Sequence, residues 1–194
     1  MDKAGAIFAL LTVFAVMLGS WFFAGVHSSM TAEEVEYNLL YKPGKNIEVR
    51  EYGEMTVIST SSDDQGSAFS ILASYISGKN AEKRKIDMIS PVVTTKNGDI
   101  INMSFILPGN YDTSNAPASD NPEISIHTLP ARKVAVIRFS GYAKEDIVEE
   151  KYLELSSQLS TGDIVTKGDY FLMLYNPPWV PPALMRNEVA IEVE

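Results

Sequence analysis

A chain of 194 residues with 16 basic and 25 acidic side chains, a formal charge of -9, holds one well-cored domain plus a terminal appendage, and is short for two full domains. That charge repels phosphate backbones, and the only basic run, Lys83 to Lys85, is short, so nucleic acid and peripheral docking on anionic lipid are disfavoured. Cysteine is absent, which removes disulfides, thiolate metal sites and cysteine nucleophiles together.

From Ala4 to Val26 no residue is charged, and Ala, Leu, Phe, Val, Ile and Met dominate. About 20 apolar residues at 1.5 Å each span a bilayer core, so residues 4–26 are expected to form a transmembrane anchor or uncleaved signal, with the membrane as a partner. Residues 27–31 read as a polar linker and 32–194 as the folded domain. The short amino-terminal stub gives the expectation of a single-pass membrane protein with its carboxy-terminal domain outside the cytoplasm.

Within that domain, Tyr37 to Tyr41 supplies a first strand before the turn pair Pro43 and Gly44. Ile47 to Tyr52 alternates apolar Ile47 and Val49 with charged Glu48 and Arg50, the period-two signature of a half-buried strand. Met55 to Thr60 resumes as strand after Gly53. Phe69, Leu72, Ala73 and Ile76 then recur at i, i+3, i+4 and i+7, giving a helix with one apolar face that Gly78 stops. Two strands, Ile86 to Thr95 and Ile100 to Leu107, join through Asn97 and Gly98, a favoured tight-turn pair. Pro108 to Pro122 is a loop by composition.

The same order recurs afterwards. Ile124 to Thr128 and Val134 to Phe139 read as strands, Ile147 to Leu159 as an amphipathic helix ended by Gly162, and Tyr170 to Tyr175 with Glu188 to Val193 as a closing strand pair. Ile47-Glu-Val-Arg-Glu-Tyr52 aligns with Ile124-Ser-Ile-His-Thr-Leu129. The expected fold is therefore α+β: duplicated strand-helix-strand-strand repeats forming a distorted antiparallel β-barrel with two packed helices, plus the amino-terminal transmembrane helix.

Catalytic chemistry is not apparent. The domain holds one histidine, His127, and there is no zinc cluster, nucleophile elbow, phosphate loop or dinucleotide fingerprint. The carboxylate pairs Asp63 with Asp64 and Glu149 with Glu150 fall in a turn and on a wet helix face. Strand parity puts Ile124 and Ile126 toward the core and His127 on the other face, which argues against an axial haem ligand there.

Several stretches in order resemble the SOUL/haem-binding protein family: Ile47-Glu-Val-Arg-Glu-Tyr52, Ser74-Tyr-Ile-Ser-Gly-Lys-Asn80, Lys85-Ile-Asp-Met-Ile-Ser-Pro-Val92, Phe139-Ser-Gly-Tyr142, and above all Tyr175-Asn-Pro-Pro-Trp-Val-Pro-Pro182 running into Arg186-Asn-Glu-Val189. The resemblance implies haem or another porphyrin held without enzymatic turnover in a shallow apolar groove beside the first helix. Phe69 matches a groove position, Leu72, Ala73 and Ile76 extend its face, Met88 lies in the following motif, and Trp179 sits in a proline-stiffened loop beside a flat ligand or at the barrel end. Positions where family members carry basic residues near the propionates are here Gly66, Ser74 and Val180, and no histidine matches an axial ligand. The alternative function is an effector-binding or protein-interaction module for another amphiphilic ligand.

Overall fold

The computed structural model describes residues 33–194, together with Leu10, 12–14, 16–17 and Ser20, which are helical. Those amino-terminal positions replace the expected span with a narrower finding. A crossing helix needs about 20 continuous apolar residues, and among the described residues no helix is long and apolar enough to cross a membrane. The single-pass location, the extracytoplasmic domain and the membrane partner are corrected accordingly; the rest of 4–26 and the linker at 27–31 lie outside the described residues.

The domain is α+β. Its strands are β1 (Glu33–Glu34), β2 (Asn38–Gly44), β3 (Ile47–Tyr52), β4 (Met55–Ser62), β5 (Ile89–Asn97), β6 (Ile100–Ile106), β7 (Ser125–Leu129), β8 (Arg132–Phe139), β9 (Thr166–Leu174) and β10 (Asn187–Val193). Helix α1 (Gln65–Ile76) follows β4 and helix α2 (Glu145–Thr161) follows β8. All ten strands lie in one sheet of order β2-β3-β8-β10-β9-β5-β6-β4-β7, with β1 added in parallel on β5.

Apart from that short parallel pair the ladder is antiparallel. The expected barrel does not close. Its ends, β2 and β7, are separate edges with no ladder between them, so the sheet curls without sealing. A closed barrel requires every strand to find two partners, and local patterning carries no record of which distant edges meet.

The duplication is visible in the strand order. Exchanging β3 with β7, β4 with β8, β5 with β9 and β6 with β10 turns the path β3-β8-β10-β9-β5-β6-β4-β7 into its own reverse. Each half gives its opening strand to the other, since β3 pairs with β8 and β7 with β4. The register agrees with the sequence alignment of the two openings: Tyr52 faces Arg132 where Leu129 faces Met55.

Period-two side chains divide the core into layers. Under α2, Val49, Ile137, Val189 and Ile191 pack against Val148, Leu155 and Leu159. Under α1, Ile58, Met103, Phe105 and Ile124 pack against Ala68, Leu72 and Tyr75. The opposite face carries its own cluster, Tyr52, Val134, Val136, Phe171, Met173, Tyr175 and Ala190, covered by Val35, Tyr37, Met55 and Val93. Both faces of the central strands are thus shielded, which the continuous apolar run Val134 to Ile137 requires.

Candidate functional site

Helix α1 begins where Asp64 accepts a hydrogen bond from Ser67 N at 2.6 Å, satisfying one of the free amides of the first turn. Its buried stripe is Ala68, Leu72 and Tyr75, one residue out of phase with the face expected from the large apolar side chains. Tyr75 is buried because its hydroxyl donates to Pro117 O at 2.6 Å, and Ala68 lets the helix approach the sheet closely. Leu72 is 0% exposed, so it is floor rather than groove wall.

Phe69, Ala73 and Ile76, at i, i+4 and i+7, form a second apolar stripe beside the buried one. Phe69 is 41% exposed and rests edge-on against Phe105, ring centroids 5.2 Å apart. Ala73 and Ile76 are half-buried and pack on the same cluster. The chain leaving α1 turns at Gly78, whose φ of +103° suits glycine. Asn80, 2% exposed, then pins the turn by donating to Tyr75 O and Arg84 O and accepting from Arg84 N. Ile86 N donates to Ile76 O at 2.8 Å, bringing the following segment back against the helix end, and Met88 emerges two residues later, 39% exposed.

Trp179 is carried separately. It is 61% exposed in the loop after β9, anchored by buried Val180 and by Gly141 N donating to Pro182 O. This loop and the start of β5 share one end of the sheet, where Ser90 Oγ donates to Tyr175 O at 3.3 Å. The structure therefore assembles Phe69, Ala73 and Ile76 on one surface with Met88 following, leaves Leu72 beneath it, and mounts Trp179 on a different element.

A haem would find apolar contact here and no imidazole. His127 pairs with Val57 on the adjacent strand and is exposed, whereas its neighbours Ile124 and Ile126 pack under α1, so its side chain lies on the face away from the groove. Among the described residues no group of three or more His, Cys, Asp or Glu could hold a metal. The groove's residues fit a flat macrocycle by packing, without an axial protein ligand from His127.

Sequence reasoning missed a buried ionic cluster on the other face of β3 and β10. Arg50, read as the wet side of a half-buried strand, is 2% exposed and forks onto Glu188, which is 0% exposed, at 2.7 and 3.0 Å. Arg186 Nε donates to the same carboxylate at 3.0 Å and Tyr175 Oη at 2.9 Å. Arg50 also lies over the Tyr37 ring at 4.3 Å, and Arg186 reaches Glu34 at 2.7 Å.

Burial alone pushes the Glu188 carboxyl up, but the Arg50 hydrogen bonds and the charges of Arg186 and Arg50 outweigh it and hold the group below its ordinary value. Tyr175 is pushed up, first by burial and then by the neighbouring Glu188 charge. Each lone pair and donor is engaged, the arrangement of a structural pivot. The available signal was opposite charge at inward positions of two strands whose neighbours are wholly apolar.

Comparisons with known proteins agree with this architecture. The family described as SOUL heme-binding protein matches residues 32–192. Heme-binding protein 2 of Homo sapiens is 31% identical over 151 residues, covering 71% of this chain and 73% of that protein. Among solved structures, the EcmrR C-terminal domain superposes with a TM-score of 0.55 at 15% identity, covering 81% of this chain and 98% of that one. A protein from Listeria innocua described as a hydrolase superposes with a TM-score of 0.56 at 11% identity, covering 79% and 94%. At such identities the two structures speak for the fold alone, whereas the family match over nearly the whole described domain places this chain in the SOUL haem-binding family.

Proposed function

We propose that the domain binds haem or a related tetrapyrrole without turning it over, in the groove formed by Phe69, Ala73, Ile76 and Met88, for carriage, buffering or sensing. The observation that supports this most is the open second stripe of α1: three apolar side chains outside the buried stripe, on a helix whose inward face is already filled. Apolar burial contributes about 25 cal/mol per Å², so a large flat macrocycle held on one face reaches an affinity on the order of micromolar, about -8 kcal/mol, with no bond to iron.

The turn after α1 suits the propionates. Lys79, Lys83, Arg84 and Lys85 all lie there, in a chain that is otherwise acidic, and Lys83 and Lys85 are exposed. Trp179 contributes as an aromatic wall at the same end of the sheet as the start of β5.

Titration with haemin, followed at the Soret band, tests the reading. Saturable binding is expected, Phe69→Glu is expected to weaken it at least tenfold with an unchanged circular dichroism spectrum, and His127→Ala is expected to leave spectrum and affinity alone. Leu72 is unsuitable for this purpose because a charge there enters the core. Absence of a saturable Soret shift well above micromolar concentration, or a Phe69→Glu variant that binds as the parent does, overturns the assignment.

A further inference from the structure

A second concavity lies away from the helix groove, between the segment at 33–38, the β3–β4 turn and the loop after β6. It is a cleft of about 1080 Å³. Its floor is apolar and well packed: Ile89 and Ile106 are buried, Val35 and Met55 are half-buried, and the rings of Tyr37 and Tyr111 stand at its sides. Around that floor are six carboxylates, Glu33, Glu34, Glu36, Glu51, Glu54 and Asp112, and no lysine or arginine lines it.

One of the six is neutralised by an ion pair, Glu34 with Arg186. Asp112 is held ionised below its ordinary value by hydrogen bonds from Ser114. The remaining four have no basic partner within 4.0 Å among the described residues.

The geometry points to this cleft as a binding site for an organic cation with an apolar or aromatic body. An apolar floor takes the body and the tyrosine faces attract a cation. The carboxylates concentrate positive charge at the mouth and repel anions. The volume lies at the upper end of the range of small-molecule sites. A dianionic tetrapyrrole is excluded by the same field, so the two concavities take ligands of opposite sign.

The full chain is titrated with ethidium, a planar monocation, by fluorescence anisotropy at low ionic strength. Saturable binding is expected, weakening as salt rises because exposed charges are screened beyond about 8 Å at 0.15 M. The double variant Glu51→Gln/Glu54→Gln is expected to lose about tenfold in affinity, corresponding to about 1.4 kcal/mol. A control with the same net charge, Glu149→Gln/Glu150→Gln on the wet face of α2, is expected to keep the parent's affinity within about twofold, since remote exposed charges are largely screened.

If the double variant melts differently from the parent, Glu36→Gln serves instead, with a smaller loss of the same sign. No saturable binding up to millimolar ethidium, or equal losses in the cleft and control variants, overturns the proposal. Haemin affinity is measured on the same variants and is expected to stay at the parent's value, which separates failure of this site from failure of the helix groove.

Discussion

The two halves of the domain share one strand order, yet matching positions have opposite fates. Arg50 on β3 corresponds to His127 on β7, and Glu188 on β10 to Asn102 on β6. The first of each pair is sealed in an ion cluster; His127 and Asn102 are exposed, the latter accepting from Ser61 Oγ at 2.6 Å. What differs is the cover. β2 adds a strand outside β3, and the segment before it brings Tyr37 and Glu34 onto the cluster, whereas no strand lies outside β7.

The helices differ in the same sense. α2 packs on β8, β9, β10 and also β2, while α1 packs on β4 and β6. The residues following the inward stripe are Glu149, Leu153 and Ser156 on α2 but Phe69, Ala73 and Ile76 on α1. A repeated architecture has thus been specialised: one half is closed over charge and the other is left with open apolar surface.

The largest expected effect comes from Glu188→Gln, which leaves Arg50 and Arg186 buried without their counter-charge. A loss of about 3 to 5 kcal/mol in urea unfolding is expected, against less than about 1 kcal/mol for Asn102→Ala at the matching exposed position. Equal costs would remove the distinction between the halves. Acid titration probes the same cluster. Because the folded-state pKa of Glu188 is depressed, its stabilisation is present above the unfolded value of about 4.3 and is lost as pH falls through the folded value. The parent is therefore expected to lose stability on acidification below that window, and Glu188→Gln to lack that component in stability measured against pH.

Removing the cover is expected to cost less. Tyr37→Ala takes away the ring over Arg50 and its contact with Tyr52, for about 1 to 2 kcal/mol. At the start of α1, Asp64→Ala removes a side-chain cap and is expected to cost about 1 kcal/mol, whereas α2 begins at Lys144 with no side-chain cap to lose. Smallest of all is His127→Ala, expected within about 0.5 kcal/mol of the parent in the same denaturation experiment.

Much of this arrangement is legible in the sequence. Gly78 and Gly162 mark where α1 and α2 stop, and the aligned openings at Ile47 and Ile124 anticipate the exchanged register. The hairpin after β5 is found too, although its two-residue loop is Gly98 and Asp99 rather than Asn97 and Gly98, because Asn97 still pairs with Ile100.

The phase of α1 was less accessible. Large apolar residues suggested Phe69 and Ile76 as inward, but small Ala68 and a tyrosine with a distant backbone acceptor take those places. Burial of Arg50 was hidden for a related reason: alternation of apolar and charged residues signals one wet face only when nothing else covers the charges. The partner strand, the covering ring and the open edges are all long-range facts.

The exchange of opening strands also governs how the molecule comes into being. Ile47 waits for Ile137 and Met55 for Leu129, so the first half stays incomplete until most of the chain has left the ribosome. Only the β5–β6 hairpin is secured locally. Closing such distant pairs ahead of their reward makes folding slow for the domain's size. A cut in the loop at 108–122 yields two fragments, each holding a strand that the other needs, so the repeat in sequence is not a unit of folding.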